Sequence, residues 1–178
     1  MPSRPALTFL SSLLLLGLTS CGPRVSQCKQ LIDTISEGQT FGIEYERSIK
    51  TSLAQFSSAQ NLPDLKAAAT AHMATLQKAS TQSSALAQDL SALTLEDPQL
   101  NEYRERYTAV TTQWSVALTT AQEAAQLLAE TESEDSFRAA FGRFQAKTDS
   151  AYSAIQAIDS EESQLIEGIG SYCSSADS

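Results

Sequence analysis

A chain of 178 residues with 12 basic residues against 21 acidic ones, a net charge of −9 and a single histidine excludes several functions at once. So acidic a protein is a poor partner for nucleic acid, which requires clustered Lys and Arg against its phosphates, and one histidine cannot build a multi-histidine zinc site. Only seven glycines and five prolines are present, and the abundance of Ala, Gln, Ser and Thr suits long helices more than a sheet.

The first predicted element is a leader. Arg4 supplies a positive end, and Leu7, Phe9, Leu10, Leu13 to Leu16 and Leu18 form an apolar core. That core is shorter than the roughly 20 residues of a membrane span. It closes on Leu18-Thr19-Ser20-Cys21, which resembles the lipobox of bacterial lipoproteins. The resemblance implies cleavage before Cys21 and acyl chains such as palmitate on that cysteine. It also implies a mature protein held on the cell membrane or outer membrane, facing a periplasmic or extracellular space. An ordinary secretory signal or a short membrane anchor is the alternative. Asp after the cysteine is the inner-membrane retention signal of many Gram-negative lipoproteins; Gly22 stands there instead, which points to another membrane. Two or more acyl chains, each contributing about 0.8 kcal/mol per buried CH₂, anchor firmly. Residues 1–20 are therefore the expected signal, 21–24 a lipidated tether, 25–173 the folded domain and 174–178 a disordered tail. Loss of the leader removes only Arg4, leaving 11 basic against 21 acidic residues and a net charge of −10. Anionic lipid head groups would repel such a domain, so membrane contact rests on the lipid at Cys21.

Four segments of heptad-like apolar spacing follow. The first seam runs through Val25, Cys28, Ile32 and Ile35, weakens through Gln39, Gly42 and Glu46, and resumes at Ile49, Leu53 and Phe56. Gly38 and Gly42 lower helix propensity in the weak stretch, where a kink is expected. Ser57 to Asn61 reads as a turn, and Pro63 and Asp64 suit the first turn of a second helix. The second seam includes Leu65, His72, Leu76, Leu86 and Leu90. Asp97-Pro98 predicts a cap and a first-turn proline, ahead of a third seam through Tyr103, Tyr107, Val110, Trp114 and Leu128. Thr131-x-x-Glu134 reads as a capping box for a last helix with Phe137, Phe141, Phe144, Ile155, Ile158, Glu162, Leu165 and Ile169 on its seam.

Short turns between long helices predict an all-α, antiparallel up-down-up-down four-helix bundle with coiled-coil-like packing. The alternative is a longer helical hairpin completed by dimerisation. In the bundle, the start of helix one lies beside the end of helix four, where Cys28 and Cys173 sit. With Cys21 carrying lipid, these two remain as the expected disulfide in an oxidising compartment. Two free thiols are the alternative.

Stacking helices by rise places His72 level with Glu46 and Thr148, a candidate buried polar layer. It reads as a structural hydrogen bond or, as the sharper alternative, a small-ligand site. Glu162 falls level with Tyr107, whose hydroxyl is its expected partner. It lies about 16 Å along the bundle from Glu46, too far to share a metal ion. Trp114 falls near Phe41 and Gly42, and its ring is expected to fill the space that the glycine leaves. No Gly-x-Ser-x-Gly elbow, phosphate loop, dinucleotide fingerprint or Glu-x-x-His pair is present in the sequence, so no catalytic residue, metal or cofactor is assigned.

Val25-Ser26-Gln27-Cys28-Lys29-Gln30-Leu31-Ile32 resembles small cyanobacterial lipoproteins of unassigned function. A lipidated four-helix bundle is also similar, in architecture alone, to the Q-type extrinsic subunit of cyanobacterial photosystem II, although the cysteine pair departs from that pattern. The expectation is a tethered, non-catalytic protein that binds or scaffolds another protein, with a small-ligand carrier or sensor as the alternative.

Overall fold

Prolines open three of the four helices, where a missing N–H costs nothing and a fixed φ favours the first turn. The computed structural model describes residues 22–175, and the helices are α1 (Pro23–Ser58), α2 (Leu62–Ala92), α3 (Pro98–Ala129) and α4 (Glu134–Ser174). The leader, Cys21 and residues 176–178 lie outside the described residues. α1 begins at Pro23, two residues before the expected start of the folded domain, and α4 takes in Ser174. α1 is one unbroken helix through Gly38 and Gly42.

Local chemistry sets the other boundaries. The Asn61 side chain accepts from the Asp64 N–H at 2.9 Å, and Asp97 accepts from the N–H groups of Gln99 and Leu100 at 2.9 and 3.0 Å. The expected box at Thr131 and Glu134 is displaced by two residues. The Thr131 hydroxyl donates to the Leu128 carbonyl at 2.7 Å, which commits it to the end of α3. Ser133, in extended backbone, caps α4 instead, in reciprocal hydrogen bonds with Ser136.

Contacts between successive helices run in opposite chain directions. Ser52 of α1 meets His72 of α2, and Glu44 meets Lys78. Ser83 of α2 meets Thr111 of α3, while Tyr107 and Glu123 of α3 meet Glu162 and Lys147 of α4. The fold is thus all-α, with four antiparallel helices. α2 and α3 share the most extensive interface. It is built from small side chains that let the backbones approach: Ser80, Ser84, Ser115 and Thr119 exchange hydroxyl contacts of 2.8–3.3 Å.

The main core lies in the half that holds the chain ends. Cys28, Leu31 and Ile35 of α1 pack there with Leu90, Leu100, Tyr107, Leu165, Ile169 and Cys173. The Sγ atoms of Cys28 and Cys173 are at disulfide distance, with Cα atoms 5.7 Å apart. Around them, the Arg24 guanidinium stacks on the Tyr172 ring, 3.9 Å from its centroid. It also donates to the Tyr172 carbonyl at 2.8 Å.

Beyond this end α1 and α4 part, and few residues join them. At 100° per residue, Ile32, Ile43 and Leu53 lie within about 60° of Cys28 around α1, and Phe141, Tyr152 and Ile166 within about 60° of Cys173 around α4. All six are exposed, from 38% at Ile166 to 62% at Ile43. Both helices thus carry exposed apolar residues on the sides that bear the cysteines.

Candidate functional site

At the middle of the molecule the helices line a cavity of about 140 Å³ that is partly open to solvent. α1 contributes Gly38, Phe41, Gly42 and Tyr45, and α2 contributes Ser83 and Leu86. Tyr107, Thr111 and Trp114 of α3 and Glu162 of α4 complete the wall. Spacing explains this convergence. Tyr107, Thr111 and Trp114 recur at four and three residues, so they share one face of α3. The missing side chains of Gly38 and Gly42 open α1 opposite them. A Cβ on Gly38 would lie 2.5 Å from Leu86 Cδ2, whereas one on Gly42 would meet nothing within 4 Å. Gly38 therefore permits close packing on α2, and Gly42 borders empty space.

Glu162 is the only carboxylate on the wall, and no Lys, Arg or His accompanies it there. One oxygen accepts from the Tyr107 hydroxyl and the other from the Trp114 indole N–H at 3.4 Å. Tyr107 is held in turn: Thr111 donates to its carbonyl at 2.7 Å, and Ser83 donates to the Thr111 carbonyl at 2.8 Å. Burial, then the bonded Glu162 carboxylate, pushes the Tyr107 phenol far up, so it remains a neutral donor. Burial and the negative charge of Asp159 push Tyr45 up to about 12. Asp159 is itself raised, by burial and by the charge of Glu162. Negative potential is therefore concentrated on this side of the cavity. The Arg106–Glu161 pair, at 4.0 Å, involves half-exposed side chains that do not line the cavity.

Tyr107 and Glu162 meet as the sequence predicts. Trp114 does not fill the space at Gly42. Its ring makes an edge contact with Tyr45, centroids 6.3 Å apart, and its N–H turns to Glu162. The indole is drawn to a carboxylate, so the volume beside the glycine stays open.

His72, Glu46 and Thr148 are not brought together. Glu46 and Thr148 are exposed, and Glu46 bonds Lys50 at 2.6 Å, which lowers its pKa. Both sit on the facing sides of α1 and α4, as their seam positions predict, but at a level where those helices have parted. His72 instead shares a hydrogen bond of 2.9 Å with Ser52 Oγ and makes an edge contact with Phe56. Burial lowers its pKa. The sequence reading missed Ser52, and also Gln27, whose Oε1 accepts from the backbone N–H groups of Glu96 and Asp97 at 2.6 and 2.9 Å. Polar residues with one long-range partner leave no periodic signal.

Among the described residues, no group of three or more His, Cys, Asp or Glu is placed to hold a metal ion. No helix among them is long and apolar enough to cross a membrane. No family model matches this chain, and no curated protein or solved structure matches it either.

Proposed function

We propose that this protein is a lipid-anchored, extracytoplasmic, non-catalytic bundle whose α1–α4 groove docks a helix of a partner protein. One observation carries the docking: among the described residues, six of the seven exposed large apolar side chains lie on α1 and α4, within about 60° of the cysteine-bearing sides by helical rotation. Clustered apolar exposure of this kind marks interaction surfaces, and two antiparallel helices that diverge form the groove into which an amphipathic helix lays its apolar face. Anchoring rests on Leu18-Thr19-Ser20-Cys21. An oxidised Cys28–Cys173 pair agrees with an oxidising compartment. Since α1 starts two residues after Cys21, the disulfide end faces the membrane and the groove opens outward.

The test combines anchoring and docking. The N-terminal peptide recovered from cells carries acyl chains on Cys21, and Cys21→Ser abolishes them. A photocrosslinker at Tyr152 labels one discrete protein and the same group at Val116 does not; Phe141→Glu together with Leu53→Glu removes the label. Equal labelling from both positions overturns the groove, and a dimer mass in mild detergent makes its occupant a second copy.

A second reading, a small-ligand carrier, is favoured by the cavity at Glu162, since an aromatic-lined hollow with one oriented polar group is the common form of a ligand site.

A further inference from the structure

We infer that the cavity beside Gly42 binds a small alkylammonium cation, with Glu162 as its counter-ion and the rings of Tyr45, Tyr107 and Trp114 as its walls. This rests on the carrier reading of the cavity and adds the class of ligand.

Size comes first. A volume of about 140 Å³ is close to that of dry protein cavities that hold benzene, so a compact ligand of about six non-hydrogen atoms fits. Charge comes second. Glu162 has no basic side chain beside it on the wall. Its two hydrogen bonds come from Tyr107 and Trp114, both on α3. They fix the orientation of the carboxylate and bring no positive charge to it. A partly buried carboxylate without a counter-charge favours a cationic guest. The wall comes third. Phe41, Tyr45 and Trp114 form a continuous aromatic cluster with centroid separations of 6.3–6.4 Å. Tyr107 adds a further ring that burial keeps neutral. Aromatic faces attract ammonium groups through their quadrupoles, and quaternary ammonium groups in particular are recognised by such cages. An anion meets only repulsion from Glu162 and Asp159. A small metal ion meets a single carboxylate where hard cations require six or more oxygen ligands.

Access follows from the fold. The cavity lies behind the seam where α1 and α4 part, and Gly42 presents no side chain to block it. Gly42 also lies about 29 Å along α1 from Pro23, at 1.5 Å per residue. An anchored molecule therefore holds the site well away from the head groups of its own membrane, which favours a free cation over a lipid.

The experiment uses the full chain purified from membranes in mild detergent. Trp114 is the only tryptophan, so its emission reports directly on the site. Tetramethylammonium and choline are titrated beside 3,3-dimethylbutan-1-ol, the uncharged isostere of choline. Both cations are expected to shift Trp114 emission saturably, with the alcohol about tenfold weaker or worse. Glu162→Gln, which keeps an acceptor for Tyr107, is expected to weaken choline about tenfold. Gly42→Leu is expected to fill the hollow and abolish the response while helical circular dichroism is retained. Equal affinity for choline and the alcohol overturns the cation assignment and leaves a carrier. Binding unchanged in both Glu162→Gln and Gly42→Leu overturns the location. No response to any of the three probes, with no small molecule retained in native mass spectra, overturns the carrier reading as well. Phosphatidylcholine vesicles are expected to give no response; a response to vesicles without one to free choline overturns the free-ligand assignment.

Discussion

At the residue scale the glycines of α1 divide by what surrounds them. A methyl group at Gly42 meets nothing within 4 Å, so only helix propensity acts, and Gly42→Ala is expected to stabilise by about 0.8–1 kcal/mol. In a domain of this size that raises the melting temperature by about 2–4 °C. Gly38→Ala carries the same propensity gain but presses on Leu86 Cδ2, so it is expected to yield less. Calorimetry of the two variants side by side checks the difference. Gly42 thus leaves helix stability unrealised where the cavity lies, as binding sites often do.

Two half-buried titratable groups predict how stability depends on pH. Burial depresses His72; a depressed histidine favours folding above its unfolded value of 6.5, and that contribution is lost as pH falls through the folded value. Denaturant midpoints are therefore expected to fall on acidification below 6.5, and His72→Leu to flatten that limb. Tyr45, raised from 10.0 to about 12, acts at the other extreme. Its neutral form is favoured in the fold, so its contribution is present below pH 10.0 and is lost as pH climbs through about 12. Tyr45→Phe is expected to remove that part of the alkaline loss, as followed by circular dichroism. A midpoint independent of pH in both limbs would refute these assignments.

At the element scale the ends of the helices were the most legible part of the sequence. Asp97-Pro98 announces α3, because a short carboxylate and a ring without an N–H suit only that place. The structure adds Tyr172, whose hydroxyl donates to both Asp97 oxygens at 3.0 and 2.9 Å. The Leu100 N–H first, then the Tyr172 hydroxyl, the Gln99 N–H and the Arg24 charge, lower the Asp97 pKa against a smaller opposing effect of burial. Asp97→Ala is expected to cost about 1–2 kcal/mol, toward the upper end for a single cap, measured by chemical denaturation; Asp97→Asn should recover most of it. The start of α4 was read two residues early. Thr131, Ser133, Glu134 and Ser136 all suit a helix end, and whether Thr131 closes α3 or opens α4 depends on where its hydroxyl turns. Periodicity was informative about which face a residue occupies and silent about whether a neighbour covers it. Glu46, Leu53, Phe141 and Thr148 occupy the seam positions that their spacing assigns, yet all four are exposed.

At the scale of the whole molecule, one unequal distribution explains both the parting of α1 from α4 and the cavity. Large apolar side chains and the paired cysteines close α1 on α4 at one end, while the weak middle of the α1 seam has Gly42 and Glu46 where a core helix would place Leu or Ile. A disulfide spanning 145 residues removes much of the freedom of the unfolded chain, about 4–5 kcal/mol on the loop-entropy model as an upper guide. Reduction, or Cys28→Ser, is expected to lower stability by up to about that amount. It should also speed hydrogen exchange in α1 and α4 before α2 and α3, whose shared interface does not depend on the cysteines. Mass-resolved hydrogen exchange with and without reductant reads both effects, and uniform acceleration in all four helices would refute the division.

Sequence alone was enough for the helical class, the number of helices, their antiparallel order and the meeting of Cys28 with Cys173 and of Tyr107 with Glu162. These follow from local periodicity, breaker residues and short turns, which limit the ways four helices can connect. It also holds the leader and Cys21 as an expectation that the described residues do not touch. Only the tertiary structure decided that α1 and α4 diverge, that Glu46 and Thr148 face open space, and that Trp114 turns toward Glu162 and leaves a hollow at Gly42. Each of these depends on the distance between two helices far apart in the chain. That distance is set by the summed volume of side chains between them, a quantity no single helix encodes.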